Sequence, residues 1–310
     1  MNVQSVSPAL RKEALMALAE HGKTFYWASF FLSKNRAALA ALLYSCCRQL
    51  DDIADDPGFG QEHKRSVLSQ INDEISQSES PVRYQVSAAW RQLTQSGIDA
   101  AAVSGLIEGL IQDTDPLCFD QQRELDRYSY RVAGTVGIMM CSVLNVRDCE
   151  ALPFAIDLGI AMQLTNICRD VLEDAGLGRR YLPVNVSIET LLAAPQEVHQ
   201  PVIESIEAQL DNAEQFYESA LQGLIYLPRG SRVAIYLAAT LYRAIGHKLR
   251  SGKCAWWKGR IFLSAGEKLL TTLRAAPFMI YLFLASGPKP GVKHRHALHR
   301  HLDGLPYADF

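Results

Sequence analysis

Four aspartates carry the strongest chemical signal in this sequence, and they fall in two sets of similar design. In the stretch Gln163-Leu164-Thr165-Asn166-Ile167-Cys168-Arg169-Asp170-Val171-Leu172-Glu173-Asp174, a helical winding of about 100° per residue puts Gln163, Asn166, Asp170 and Asp174 on one stripe. Leu158, Ile160, Leu164, Ile167 and Val171 are apolar, so the helix is expected to be mostly buried. Buried carboxylates and amides need partners, and hard divalent cations held by oxygen ligands are natural ones. Tyr44, Arg48, Asp51 and Asp55 repeat the pattern at spacings of four, three and four. Both sets lie near helix ends, before Pro57-Gly58 and before Ala175-Gly176-Leu177-Gly178. A helix C-terminus carries partial negative charge, so two acidic clusters placed there call for positive partners, read here as metal ions.

The elements that must position these residues are helical. Apolar spacing predicts helices over about 9–19, 36–56, 61–76, 82–95 and 98–112. Others follow from Glu150 to the glycines after Asp174 and over about 201–226, 230–251 and 260–283. Gly134 and Gly137 interrupt the helical run Tyr128–Met140, where they serve either close helix packing or a cavity wall. Arg179-Arg180-Tyr181 follows the second acidic set and reads either as a surface turn or as an anion-capturing pair of guanidiniums. Trp256 and Trp257 read as packing residues, and the apolar run 275–285, with Pro277, as core helix too short to span a bilayer. The chain divides into a helical domain at 1–286 and a basic, flexible tail at 287–310 carrying His294, His296, His299 and His301.

Composition narrows the field. The 310 residues are 48% hydrophobic with a net charge of −2, so no global field recruits nucleic acid. No secretory signal is visible, and seven cysteines without paired metal-ligand spacing read as reduced thiols, so a cytoplasmic protein is expected. Carboxylates on two facing helices, flanked by Lys23, Arg48, Arg169 and Arg179, describe a site for Mg²⁺ ions and a polyanion. The apolar, aromatic interior then suggests a diphosphate joined to a long hydrocarbon. Tyr44, Tyr128 and Tyr242 are placed to shield an allylic cation left after diphosphate departs.

Several of these stretches resemble the squalene/phytoene synthase family. LGIAMQLTNICRDVLEDAGLGRRYLP (Leu158–Pro183) is similar to its second signature, and YSYRVAGTVGIMMCSV (Tyr128–Val143) to its first. Asp51–Asp55 matches the first aspartate-rich motif, and HGKTF (His21–Phe25) and KGRIFLSAGEKL resemble an N-terminal diphosphate-contacting segment and a late helix start. The resemblance implies a single-domain, all-α isoprenoid-synthase bundle around a central cavity. It implies head-to-head condensation of two identical prenyl diphosphates through a cyclopropylcarbinyl diphosphate. Asp51, Asp55, Asp170 and Asp174 would hold Mg²⁺ or Mn²⁺ with Asn166 and Gln163 in support. Lys23, Arg48, Arg169, Arg179 and Arg260 would hold diphosphate, and Tyr44, Tyr128, Tyr181 and Tyr242 would line the reacting centre. Gly22-Lys23-Thr24 departs from the serines common in the family.

Within the family, the segment Gln163–Pro183 reads most like bacterial phytoene synthases, which join two geranylgeranyl diphosphates; no NADPH is then expected. A C30 synthase using farnesyl diphosphate shares every motif named. Chain-elongating prenyltransferases usually carry DDxxD motifs and lack the YxxxVAGTVG segment, and non-catalytic relatives on the fold tend to lose the aspartates. Peripheral membrane contact and hand-over to a downstream carotenoid desaturase complete the expectations.

Overall fold

The computed structural model describes residues 8–77, 81–285 and 292–308. Fourteen α-helices build the described residues: α1 (Pro8–His21), α2 (Lys23–Ser29), α3 (Lys34–Asp55), α4 (Gln61–Ser76), α5 (Gln85–Gln95), α6 (Ala100–Gln112), α7 (Gln122–Ser129), α8 (Thr135–Val143), α9 (Leu152–Arg169), α10 (Val171–Gly176), α11 (Ile188–Ala193), α12 (Gln196–Gln222), α13 (Arg229–Ser251) and α14 (Ala265–Leu284). The all-α expectation holds, and the helix ends follow local chemistry. Asp99 caps α6 by accepting from the Ala102 amide, and Ser264 with Glu267 forms a reciprocal capping box at α14.

Helix α9 is the axis of the body. Ile156, Ile160, Ala161, Leu164 and Ile167 are almost wholly inaccessible, and the helix packs against α8, α12 and α13. The span Cys149–Arg169 is apolar and long enough to cross a membrane, but 72% of its most apolar window is buried inside the protein, as befits a core helix. Contacts of α9 with α8 and with the π-helical turn before it explain the glycines. A Cβ on Gly137 would stand 2.1 Å from the Ala155 carbonyl oxygen, and one on Gly159 would stand 2.2 Å from that of Ala133. Close packing, not a cavity wall, is what Gly137 serves. Gly134 closes a π-helical turn, Tyr130–Gly134, that links α7 to α8.

Five features differ from the sequence reading. The segment at Lys23 is helical rather than a break, and a short α11 appears before α12. The acidic helix after Glu150 is interrupted at Asp170, whose backbone (φ −107°, ψ 18°) ends α9 and starts α10. Helix α14 buries Ala275, Met279 and Leu282 but leaves Ile280, Tyr281, Phe283 and Leu284 exposed, so the apolar run is only half core.

The fifth concerns the C-terminal segment, which over 292–308 is docked rather than loose. His299, Leu302, Leu305 and Ala308 are buried. His301 Nδ1 lies 2.6 Å from Asp126 Oδ2, and Arg127 donates to the His301 and Asp303 carbonyls at 3.2 and 2.9 Å. The Tyr130 hydroxyl donates to the Pro306 carbonyl, and that of Tyr307 to Asp99 at 2.6 Å. The rest of the expected tail, at 287–291 and 309–310, lies outside the described residues.

Candidate active site

The last turns of α3, α6 and α9 converge, with α10 running on from α9. Arg179 ties the ends of α3 and α6 together, and Asp174 of α10 lines the same crevice. Arg179 is almost completely buried in the two-residue strand β2 (Arg179–Arg180), which pairs in parallel with β1 (Leu117–Cys118). Its Nη2 lies 2.8 Å from Asp55 Oδ1 and donates to the Asp113 carbonyl at 2.7 Å; its Nε donates to the same carbonyl at 3.1 Å. The open choice at Arg179-Arg180 resolves differently for the two residues. Arg180 turns away to the Phe119 and Leu182 carbonyls (2.6 and 2.8 Å) and to Asp120 (2.6 Å), and is a structural clamp.

Asp113, just beyond α6, is a site residue that the sequence reading missed. Its carboxylate accepts from the Tyr128 hydroxyl at 2.7 Å and from that of Tyr181 at 2.6 Å. The two phenols stack with centroids 4.7 Å apart. Burial raises Asp113 to about 6, against the nearby Arg179 and both hydroxyls. The available signal was an acidic helix end, Asp113-Thr114-Asp115 before Pro116, but it lacks a second acid four residues on.

Asp170 is neutralised from two sides. Arg169 Nε and Nη2 each reach it at 2.6 Å, and Arg260 Nε lies 3.0 Å away while its Nη1 holds Glu173 at 2.9 Å. Asp55 has Arg179. The idea that metal is the only positive partner of the acidic stripes therefore needs correction: guanidiniums already serve Asp55 and Asp170. Asp51 and Asp174 are different, because among the described residues neither has an ion pair or a side-chain hydrogen bond. Burial, then the charges of Asp55 and Asp113, raises Asp51 to about 7 despite Arg48. Burial and the charge of Asp170 hold Asp174 well above the usual carboxylate range.

By donor type this set suits a divalent cation. Asp51 and Asp174 are carboxylates whose ionised form lacks support, and the Asn166 Oδ1 is buried without a hydrogen-bond partner. All three are hard oxygen donors of the kind Mg²⁺, Mn²⁺ and Ca²⁺ select. Gln163 lies one turn before Asn166, its Oε1 3.5 Å from the Asn166 amide nitrogen.

The remaining predicted residues spread around the rim. Arg48 is exposed and pairs with Asp52 at 2.8 Å. Lys23 is exposed at the start of α2, two residues before Phe25. The Phe25 ring sits 5.2 Å from Tyr242 and 6.3 Å from Tyr44, which forms an aromatic wall on the α9 side. Burial lifts Tyr44 to about 12 and raises Tyr242, so both phenols stay neutral. The crevice lined by Asp174, Arg179, Tyr181 and Leu191 holds only about 10 Å³, room for about one water.

An all-helical body with acid-rich and arginine-rich helix ends beside an aromatic wall defines an enzyme of the isoprenoid-synthase class. The sequence matches the squalene/phytoene synthase family over residues 18–267. It is 33% identical to the 15-cis-phytoene synthase of Pantoea ananas over 285 residues, covering 87% of this chain and 92% of that protein. It is 34% identical to the 15-cis-phytoene synthase of Enterobacter agglomerans over 269 residues, covering 82% and 90%. A crystal structure of a dehydrosqualene synthase superimposes with a TM-score of 0.73 at 24% identity, covering 88% of this chain and 97% of that one. The chain belongs to the squalene/phytoene synthase family.

Proposed function

We propose that this enzyme joins two geranylgeranyl diphosphates head to head, through prephytoene diphosphate, to give phytoene. The observation that carries the reading is the convergence of the α3 and α6 ends on Arg179, with α10 packed on its strand, beside an aromatic and apolar interior. Such a site can hold a diphosphate at one end and exclude water from a cation at the other. The named activity of the Pantoea and Enterobacter relatives supports the C20 substrate.

Asp51, Asp174 and Asn166 would hold Mg²⁺, which when bound would supply positive charge for diphosphate oxygens. On substrate entry, Arg169, Arg179 and Arg260 exchange carboxylate oxygens for diphosphate oxygens. Arg48 and Lys23 at the rim meet the second diphosphate. Tyr44, Tyr128, Tyr181 and Tyr242 present neutral rings that stabilise the allylic cation without capturing it. The balance of the reaction is redox-neutral: two diphosphates leave, one carbon–carbon framework forms, and two protons are lost. No nicotinamide is then needed.

The exposed apolar face of α14, including Leu273, Ile280, Phe283 and Leu284, suits contact with a bilayer, which stores both the prenyl substrate and the C40 product. The enzyme would work in the cytoplasm at that surface and pass its product to a desaturase. Its two units are the helical domain at 1–286 and the C-terminal segment from 287. The test is competition. Purified protein given equal geranylgeranyl and farnesyl diphosphate with Mg²⁺ should yield a C40 hydrocarbon, whereas a C30 product would move it to the dehydrosqualene branch.

A further inference from the structure

Asp157 lies in the second turn of α9, thirteen residues before Asp170 and so about 20 Å away along the helix at 1.5 Å per residue. It is completely inaccessible, yet it is approached by two imidazoles from the C-terminal segment. His294 Nε2 lies 2.9 Å from Asp157 Oδ2, and His299 Nε2 lies 2.8 Å from Oδ1. One ligand atom from each of the three residues can be chosen so that all lie within 4.8 Å of one another.

The hydrogen bonds behind these rings limit where protons can sit. His299 Nδ1 is 3.3 Å from the Ala308 carbonyl, which can only accept, so Nδ1 carries the hydrogen. In the neutral ring, Nε2 then presents a lone pair to the Asp157 carboxylate, and two acceptors face each other in the interior. His294 Nδ1 is buried without a partner, so protonating that ring would leave an orphaned donor. A cation bound by both Nε2 atoms and the carboxylate removes the clash at His299, with the hydrogen of His294 then on its buried Nδ1. A ring nitrogen donating to a backbone carbonyl is also how metal-bound histidines are commonly held.

We propose that Asp157, His294 and His299 form a site for a divalent transition metal, of which Zn²⁺ is the best match, clasping the C-terminal segment to α9. Two imidazole nitrogens and one carboxylate oxygen suit Zn²⁺, Co²⁺ or Ni²⁺, whereas Mg²⁺ prefers oxygen. Three protein ligands leave a fourth tetrahedral position for water. The metal would staple residues more than 130 positions apart in sequence, with a structural rather than a chemical role.

The test uses the full chain without an added histidine tag. After dialysis against Zn²⁺ and then buffer, elemental analysis should find one equivalent of zinc in the wild type and in an Asp51→Asn/Asp174→Asn variant. His294→Gln and His299→Gln should each lower zinc affinity by about 10-fold to 100-fold or more. Excess Mg²⁺ should not displace the zinc, and Co²⁺ should give the visible spectrum of a tetrahedral nitrogen and oxygen site. Wild-type protein without zinc after dialysis, or folded histidine variants that keep it, would overturn the proposal. If those variants fail to fold, wild-type stoichiometry and the Co²⁺ spectrum still decide it, and an octahedral spectrum counts against it.

Discussion

Asp51 and Asp174 are partly buried acids without an ion pair among the described residues, and this is what separates them from Asp55 and Asp170. Asp51→Asn and Asp174→Asn should each lower kcat by at least about 100-fold while leaving the melting temperature equal or higher, because the amide keeps volume and removes an unsupported charge. Activity lost in proportion to thermal stability would instead mark these residues as structural. The pH dependence follows from the same residues. Asp51, raised from 3.8 to about 7, and Asp113, raised to about 6, keep protons in the folded chain that the unfolded chain has released. Metal-free stability therefore falls as pH rises from about 4 to about 7, and a bound metal relieves that cost. The rise in melting temperature on adding Mg²⁺ should be larger near pH 8 than near pH 6, and calorimetry should show proton release on binding. A shift that shrinks with rising pH would contradict the assignment.

At the scale of elements, the contact of α9 with α8 and with the π-helical turn before it fixes where the acid-bearing end of α9 points. Gly159→Ala would drive a Cβ to 2.2 Å from the Ala133 carbonyl and should cost about 3 kcal/mol in denaturant unfolding. Gly266→Ala at the start of α14 meets nothing within 4 Å and should be neutral or slightly stabilising. Equal effects from the two would refute the close-packing account. The elements were largely legible in the sequence because helical spacing is strong in long amphipathic runs: α3 and α13 end within a residue or two of their expected bounds, and α4 coincides with its own. The acidic stripes were legible for the same reason, since spacings of three and four are a helical signal. The break at Asp170 was not, because nothing in Arg169-Asp170-Val171 disfavours a continuing helix. Pairing of Leu117–Cys118 with Arg179–Arg180 is long-range and only two residues wide, so it leaves no periodicity to read. Asp113 escaped as a lone acid, and the docked 292–308 segment escaped because its anchors are histidines meeting acids remote in sequence.

Taken as a whole, the molecule places a charged site at one end of α9 and leaves an apolar helix, α14, open to its surroundings. Ile280→Glu/Leu284→Glu should reduce the fraction of protein that floats with phospholipid vesicles by several-fold without changing the helical circular dichroism, and flotation equal to wild type would rule out that face as the contact. The proposed chemistry is a redox-neutral, metal-dependent head-to-head condensation at the α3, α6 and α9–α10 ends. The most direct measurement gives the protein geranylgeranyl diphosphate and Mg²⁺, with and without NADPH, and weighs the extracted product. The same C40 hydrocarbon in both tubes, two hydrogens lighter than a reductively quenched product and absent when EDTA is added, is the predicted result. Arrest at a cyclopropyl diphosphate until NADPH is supplied, or full turnover in chelator, would contradict it.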